Sequence, residues 1–226
     1  MPSTIGVGTV PRVTWRSGLR ATLRGLGFGC LMLAAGLAGY IGWLLWGTGL
    51  ETARAQDQLR TEVTQEFAHP QPVPKGGARF LPGDAYAALV IPSIDLDFVV
   101  VEGPPSDSYL SAGWIAQLKR GPTHYPASAD PWDGTGRVGI AGHRTTYLHP
   151  FLNLDRVRVD DRIKLVTRYG TFVYAVDRTF VLPEAGSGIV LDQTRAPTLV
   201  LTTCNPRYSS RERLIVTARL VDGPTG

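Results

Sequence analysis

Cys204 closes an apolar, β-branched run, Pro197-Thr-Leu-Val-Leu-Thr-Thr-Cys204, and nine residues later Arg213 opens another, Arg213-Leu-Ile-Val-Thr-Ala-Arg219. Runs of this composition read as strands, and a short connection favours antiparallel pairing of neighbours. The thiol at the tip of one strand then meets a guanidinium at the start of the next. A third short run, Val138-Gly-Ile-Ala-Gly142, ends at His143. A thiol, an imidazole and a guanidinium at strand ends supply a nucleophile, a proton carrier and an anion stabiliser. Together they point to acyl transfer through sulfur.

Each role has competitors within the chain. A strand cysteine is often a buried structural residue, and a free thiol with a pKa near ~8.5 is mostly protonated at neutral pH without a cationic neighbour. Four histidines contend for the acid/base role. His69 falls in a proline-rich linker. His149 precedes Pro150 and reads as a cap. His124, in Gly121-Pro-Thr-His-Tyr-Pro126, lines a pocket or packs on a rim. His143 follows Ala141 and Gly142, whose small side chains leave space around the imidazole. An ordinary histidine pKa near ~6.5 suits protonating a leaving amine and deprotonating an incoming one. Arg207 and Arg211 flank Tyr208-Ser-Ser210 and read as loop charges, whereas Arg213 starts a strand that holds its side chain. Thr202 and Thr203 are either substrate-backbone contacts or simply β-formers.

Leu201-Thr-Thr-Cys204 with Arg213 before Leu-Ile-Val, and Ala141-Gly-His143 followed by Arg144-Thr-Thr, resemble the signature blocks of sortases. The similarity runs from about Ala85 to Val221, and Cys204-Asn-Pro-Arg-Tyr-Ser209 resembles the class E branch of actinobacteria. Where the family usually has the first threonine of Thr-Leu-x-Thr-Cys, this chain has Val200. The resemblance implies a cysteine transpeptidase of Gram-positive cell walls, a thiol protease in its first half-reaction. It implies Cys204 as nucleophile, His143 as acid/base and Arg213 as oxyanion stabiliser. It further implies cleavage of a Leu-(Ala/Pro)-x-Thr-Gly sorting signal on secreted proteins and transfer of the threonine carboxyl to a peptidoglycan-precursor amine. Class E similarity implies alanine at the second signal position, with Tyr125 a candidate for reading it.

Charge and hydropathy place this chemistry outside the cytoplasm. Arg12, Arg16, Arg20 and Arg24 precede an uncharged run from Gly25 to Leu50, long enough as helix to cross a bilayer. Basic residues before the run favour a cytoplasmic N-terminus. Trp43 and Trp46 suit an interfacial belt or the lipid-facing core. Ala53-Arg-Ala55 resembles a signal-peptide cleavage site, but the uncharged run exceeds an ordinary ~7–15-residue apolar region, so an uncleaved single-pass anchor is expected. The net charge of +4 resides in those four arginines, leaving 19 basic residues against 19 acidic ones. A neutral outer domain excludes a nucleic-acid footprint. Cys30 lies in the membrane run, so Cys204 is a lone exported thiol, unusual unless it reacts.

The expected organisation is a basic arm over 1–24, a transmembrane helix over 25–47, a helical stalk and Pro/Gly linker over 48–82, and a catalytic domain over 83–226. Leu59, Val63 and Phe67 form a narrow stripe on the stalk helix, either a docking face or a solvated spacer. Beyond it, strands are expected at Ala85–Ile91, Phe98–Glu102, Val138–Ala141, Ile163–Thr167, Thr171–Asp177, Thr179–Leu182, Pro197–Thr203 and Arg213–Leu220. Short helices are expected at Ser108–Leu118 and Pro150–Leu154. The fold class is mainly β, a closed eight-stranded sortase-like barrel. Asp130 and Asp133 are too few carboxylates for a calcium site, so neither metal nor cofactor is expected.

Two other function classes fit parts of the pattern. An L,D-transpeptidase is also an extracytoplasmic cysteine enzyme, but resembles Ser-His-Gly-Cys-x-Arg, and here Thr202 stands two places before the cysteine. A non-catalytic, membrane-anchored β-module would leave Cys204 inert.

Overall fold

Most of the uncharged N-terminal run, with Arg16, Arg20 and Arg24 ahead of it, folds as helix α1, Trp15–Gly42. Within it Thr22–Gly42, 21 residues of mean hydropathy 1.6, is long and apolar enough to cross a membrane. At ~1.5 Å per residue such a helix matches a hydrocarbon core of ~30 Å. Its large side chains face outward, with Leu26, Leu31 and Leu33 all more than half exposed. The computed structural model describes residues 15–43, 47–74, 78–105 and 111–224. Arg12, Trp46 and the rest of the 1–14 and 44–46 segments lie outside the described residues. The chain divides into two compact units, Met1–Trp43 and Leu44–Gly226.

The second unit takes in the segment expected as stalk and linker as well as the barrel. Helix α2, Thr48–Glu66, is no detached stalk, because its apolar stripe is a docking face. Leu59 and Phe67 are buried with Ala85, Val99 and Val101, and Val63 packs beside them. Gln56 is 4% exposed and inserts a polar anchor. Its amide donates to the carbonyls of Val99 and Arg120, each at 2.9 Å, and accepts from Val99 N–H at 2.8 Å. Thr52 Oγ1 donates to Lys119 O at 2.7 Å. These bonds explain why so polar a helix adheres: its few inward groups satisfy backbone that the strand edge leaves open.

Among the described residues, eight strands close into a barrel in the order β1-β2-β3-β4-β7-β8-β6-β5. They are β1 Ala85–Ile91, β2 Leu96–Glu102, β3 Thr123–His124, β4 Arg137–Ala141, β5 Arg162–Thr167, β6 Gly170–Pro183, β7 Thr198–Asn205 and β8 Glu212–Asp222. The strand number matches expectation through two compensating differences. The runs Thr171–Asp177 and Thr179–Leu182 are one strand, β6, whose register shifts between Val176 and Arg178, so Asp177 interrupts the alternation without ending the pairing. Strand β3 has only two residues, too few for any periodicity, and it bridges parallel β2 to antiparallel β4. Arg168-Tyr-Gly170 is the expected hairpin, with Gly170 at φ 129°.

Helix α3, Ala112–Arg120, is capped by Ser111, whose hydroxyl accepts from Trp114 N–H at 3.2 Å. The second expected helix is a single 3₁₀ turn, Leu154–Arg156, rather than Pro150–Leu154. Inside the barrel Tyr86, Leu89, Ile140, Phe151, Leu165 and Leu201 form the main core. Val200 is fully buried with Val190 and Ile215 on the opposite face, so its methyl groups occupy an apolar contact where a hydroxyl would lack a partner.

Replacing Gln56 by alanine should orphan the Val99 N–H, and lower the unfolding free energy by ~1–3 kcal/mol in chemical denaturation. An unchanged midpoint would mean that α2 is dispensable to the barrel.

Candidate active site

Strand β7 lies between a parallel and an antiparallel neighbour. Its pairing with β8 sets Cys204 directly opposite Arg213, which puts the two side chains on one face. Its pairing with β4 ends at Ala141 opposite Thr202, so the chain leaving β4 carries His143 past the same end of the barrel. Thr203 Oγ1 donates to Gly142 O at 2.7 Å, and Gly142 N–H donates to Thr202 O at 3.1 Å. A side chain at Gly142 would strike the Phe151 ring at 2.6 Å, so only glycine lets core and strand end approach this closely.

His143, Cys204 and Arg213 line one cleft of about 520 Å³, together with Thr202, Thr203 and Tyr125. Its apolar walls come from α3, through Trp114, Ile115 and Leu118, and from the 3₁₀ turn Ser187–Leu191, through Val190 and Leu191. Arg213 is the only arginine among the described lining residues. Its guanidinium donates to Ser210 O at 2.8 Å and Glu212 O at 3.2 Å, and lies 3.4 Å from a Glu184 carboxylate oxygen. Arg207 turns instead to Leu152 O at 3.1 Å and to Asp155, and Arg211 is exposed. Tyr125 stacks on Trp114 with centroids 4.8 Å apart, and its hydroxyl sits 3.1 Å from Thr202 Oγ1. Both hydroxyls of the Thr202-Thr203 pair therefore have partners within the fold.

The histidines separate by environment. His69 and His149 are exposed, and His124 is buried outside the cleft. His143 has a buried Nε2 without a hydrogen-bond partner among the described residues, and its ring lies 4.8 Å from that of Tyr147. Burial, and secondarily the charge of Lys119, lowers its pKa to about 4. The expectation of an unperturbed imidazole is thus corrected: a charged ring in this apolar niche would lose its water and face a cation. At neutral pH the His143 ring is therefore neutral.

Arg144, part of the Arg144-Thr-Thr block, has a structural role that the sequence reading did not assign it. Arg144, 4% exposed, pairs with Asp155 at 3.0 Å and donates to Asn205 Oδ1 at 2.5 Å and Cys204 O at 3.3 Å. Asn205 in turn donates to Glu212 at 2.7 Å. The residue after His143 therefore grips the strand end that carries Cys204.

The sortase-domain family profile matches residues 89–221. The chain belongs to the sortase family. Sortase SrtE1 of Streptomyces coelicolor is 27% identical over 195 residues, 81% of this chain and 53% of that protein. The chain thus spans about half the length of that relative. Sortase D of Bacillus subtilis is 30% identical over 184 residues, covering 77% of this chain and 86% of that one. Among solved structures, sortase E1 of Streptomyces coelicolor with a tripeptide in its active site aligns with a TM-score of 0.54 and 30% identity, over 64% of this chain and 93% of that one. A Clostridium perfringens sortase D5 transpeptidase aligns with a TM-score of 0.59 and 26% identity, over 75% and 99%. Class E relatives are among the matches, and the L,D-transpeptidase reading is displaced by the sortase family and fold.

The buried imidazole has a measurable consequence. Its pKa of about 4 in the fold lies below the ordinary 6.5, so the unfolded chain binds the proton more tightly. The stability contributed by neutral His143 is complete above pH ~6.5, falls as pH drops towards 4, and is gone below that. A ring-proton NMR titration should give His143 a midpoint near 4. A midpoint near ~6.5 would show that water reaches the ring.

Proposed function

We propose that this chain is a membrane-anchored sortase transpeptidase acting on secreted proteins that carry a C-terminal Leu-(Ala/Pro)-x-Thr-Gly signal. The observation that carries the reading is the convergence of Cys204, Arg213 and His143 on one cleft from three strand ends. In this mechanism the Cys204 sulfur attacks the threonine carbonyl as neutral His143 accepts the thiol proton. Arg213 stabilises the tetrahedral oxyanion with its fixed positive charge. The intermediate collapses, the Thr–Gly bond breaks, and His143 returns the proton to the departing glycine amine. An amine of a lipid II-like peptidoglycan precursor then attacks the thioacyl carbon and gives its proton to His143. The new amide leaves, and Cys204 recovers its proton.

The apolar cleft walls suit the leucine of the signal, and α1 suits an anchor. Alanine at the second signal position would retain a backbone N–H that proline lacks, and Tyr125 offers a hydroxyl in the wall that could receive it. Resemblance to class E supports alanine as the preferred residue. The arginines ahead of α1 support a cytoplasmic N-terminus and an extracellular catalytic domain at the cell membrane.

With fluorogenic signal peptides and an added amine, Cys204→Ala should abolish cleavage and transfer, and His143→Ala should nearly do so. Arg213→Ala should lose at least the ~10²–10³ typical of an oxyanion donor, Arg213→Lys should recover little, and Arg207→Ala should lose less. The alanine signal should turn over faster than its proline twin, and Tyr125→Phe should narrow the gap. Activity surviving in Cys204→Ala would leave an anchored β-module as the better description.

On intact spheroplasts, external protease should digest the barrel of the membrane-bound protein. Complete protection would reverse the proposed orientation.

A further inference from the structure

A second titratable cluster lies behind the cleft wall, and the catalytic scheme does not use it. His124 of β3 and Glu102 of β2 are 2% and 6% exposed, with Nδ1 2.9 Å from Oε2. On the other side of the ring, Nε2 lies 3.1 Å from Ser128 Oγ. Ser128 Oγ also donates to Tyr125 O at 2.7 Å and accepts from Gly139 N–H at 2.9 Å. Among the described residues, the titratable groups facing this pair are Tyr86 from β1 and Asp130 from the loop after β3.

The protons in this chain of contacts can be counted. A hydroxyl has one proton, and here the Tyr125 carbonyl takes it. Ser128 Oγ can therefore only accept from the imidazole, so His124 Nε2 carries a proton. The contact between Nδ1 and Glu102 needs a second one, because a bare nitrogen and a carboxylate oxygen cannot share it as two acceptors. Tyr86 stacks on the imidazole at 3.9 Å with planes 6° apart, presenting its electron-rich face. Its hydroxyl donates to Asp130 Oδ1 at 2.7 Å, which brings a second carboxylate to the cluster. Both features favour the proton residing on the ring.

We infer that His124 and Glu102 form a buried imidazolium–carboxylate pair that, through Ser128, positions Tyr125 in the wall of the catalytic cleft. The Ser128 hydroxyl and N–H both hold Tyr125 O, and Tyr125 N–H donates to Gly139 O at 3.0 Å. The Tyr125 ring meets Trp114, and its hydroxyl meets Thr202, two residues before Cys204. Losing the proton would set two lone pairs against each other between His124 and Ser128, or turn the Ser128 hydroxyl off Tyr125 O. His124 is thus a positioning residue for substrate binding and does not touch the reacting atoms. Its functional part rests on the sortase reading, while the protonation state stands apart from it.

The test uses full-length protein in detergent, labelled with ¹⁵N only at its four histidines. At pH 7.5, or roughly one unit above an ordinary histidine pKa, His124 should show two protonated ring nitrogens. In Glu102→Gln it should become a neutral ring with the proton on Nε2, because the glutamine amide then donates to Nδ1. A neutral wild-type ring with a bare Nε2 would overturn the pair. In peptide cleavage, Ser128→Ala should raise KM roughly tenfold, the scale of one lost hydrogen bond to a charged group. Its kcat and the rate of Cys204 alkylation by iodoacetamide should stay near wild type, and Ser128→Thr should restore KM. A Ser128→Ala enzyme with wild-type KM, or one losing kcat and alkylation together, would overturn the positioning role. Absence of cleavage by wild-type protein would count against the sortase reading and leave the ¹⁵N result to decide the pair.

Discussion

The mixed pairing of β7 is the constraint on which the site depends. With an antiparallel partner on one side and a parallel one on the other, a single strand end brings together three parts of the chain. The ladder to β8 sets the register of Cys204 against Arg213, and a slip by one residue would turn one of them away from the cleft. The ladder to β4 delivers His143, and the bonds between Gly142, Thr202 and Thr203 hold the two strand ends together. The Arg144 guanidinium reinforces this seam from inside, tying the turn after His143 to the Cys204 carbonyl and to Asn205.

Polar groups organise this molecule where apolar packing alone would be indifferent. Gln56 attaches a helix of mostly polar composition by completing the hydrogen bonds of Val99. Ser128 joins the backbone of Tyr125 to that of Gly139. In each case a polar side chain completes the pairing of main-chain groups that no ladder reaches, and an apolar residue of the same size could not do so. The barrel interior itself is almost wholly hydrophobic. The exceptions concentrate where elements must be held at one orientation.

The two inward histidines show how neighbours assign opposite roles to one side chain. His143 has an apolar niche and a nearby lysine, which favour the neutral ring. His124 has a carboxylate at hydrogen-bond distance and a hydroxyl whose proton is already committed, which favour the charged ring. The neutral ring faces the cleft, where the proposed mechanism moves a proton. The charged ring is sealed behind it, where a proton has to stay.

The sequence by itself determined the family blocks, the apolar N-terminal run and most strands, because these are local: an alternating pattern, an uncharged stretch and a short motif need no distant partner to be recognised. It marked Cys204, His143 and Arg213 as residues of one site through their places at strand ends. Tertiary structure alone decided the rest. Strand β3 exists because β2 and β4 leave a gap that two residues fill, and β6 continues through Asp177 because β8 keeps pairing beyond the bulge. Whether α2 docked or stood free depended on the strand edge that Gln56 meets. The burial of Arg144 depended on Asp155, and the charge states of His124 and His143 depended on Glu102, Ser128 and Lys119. Burial and charge are properties of surroundings, and those surroundings form only when distant segments meet.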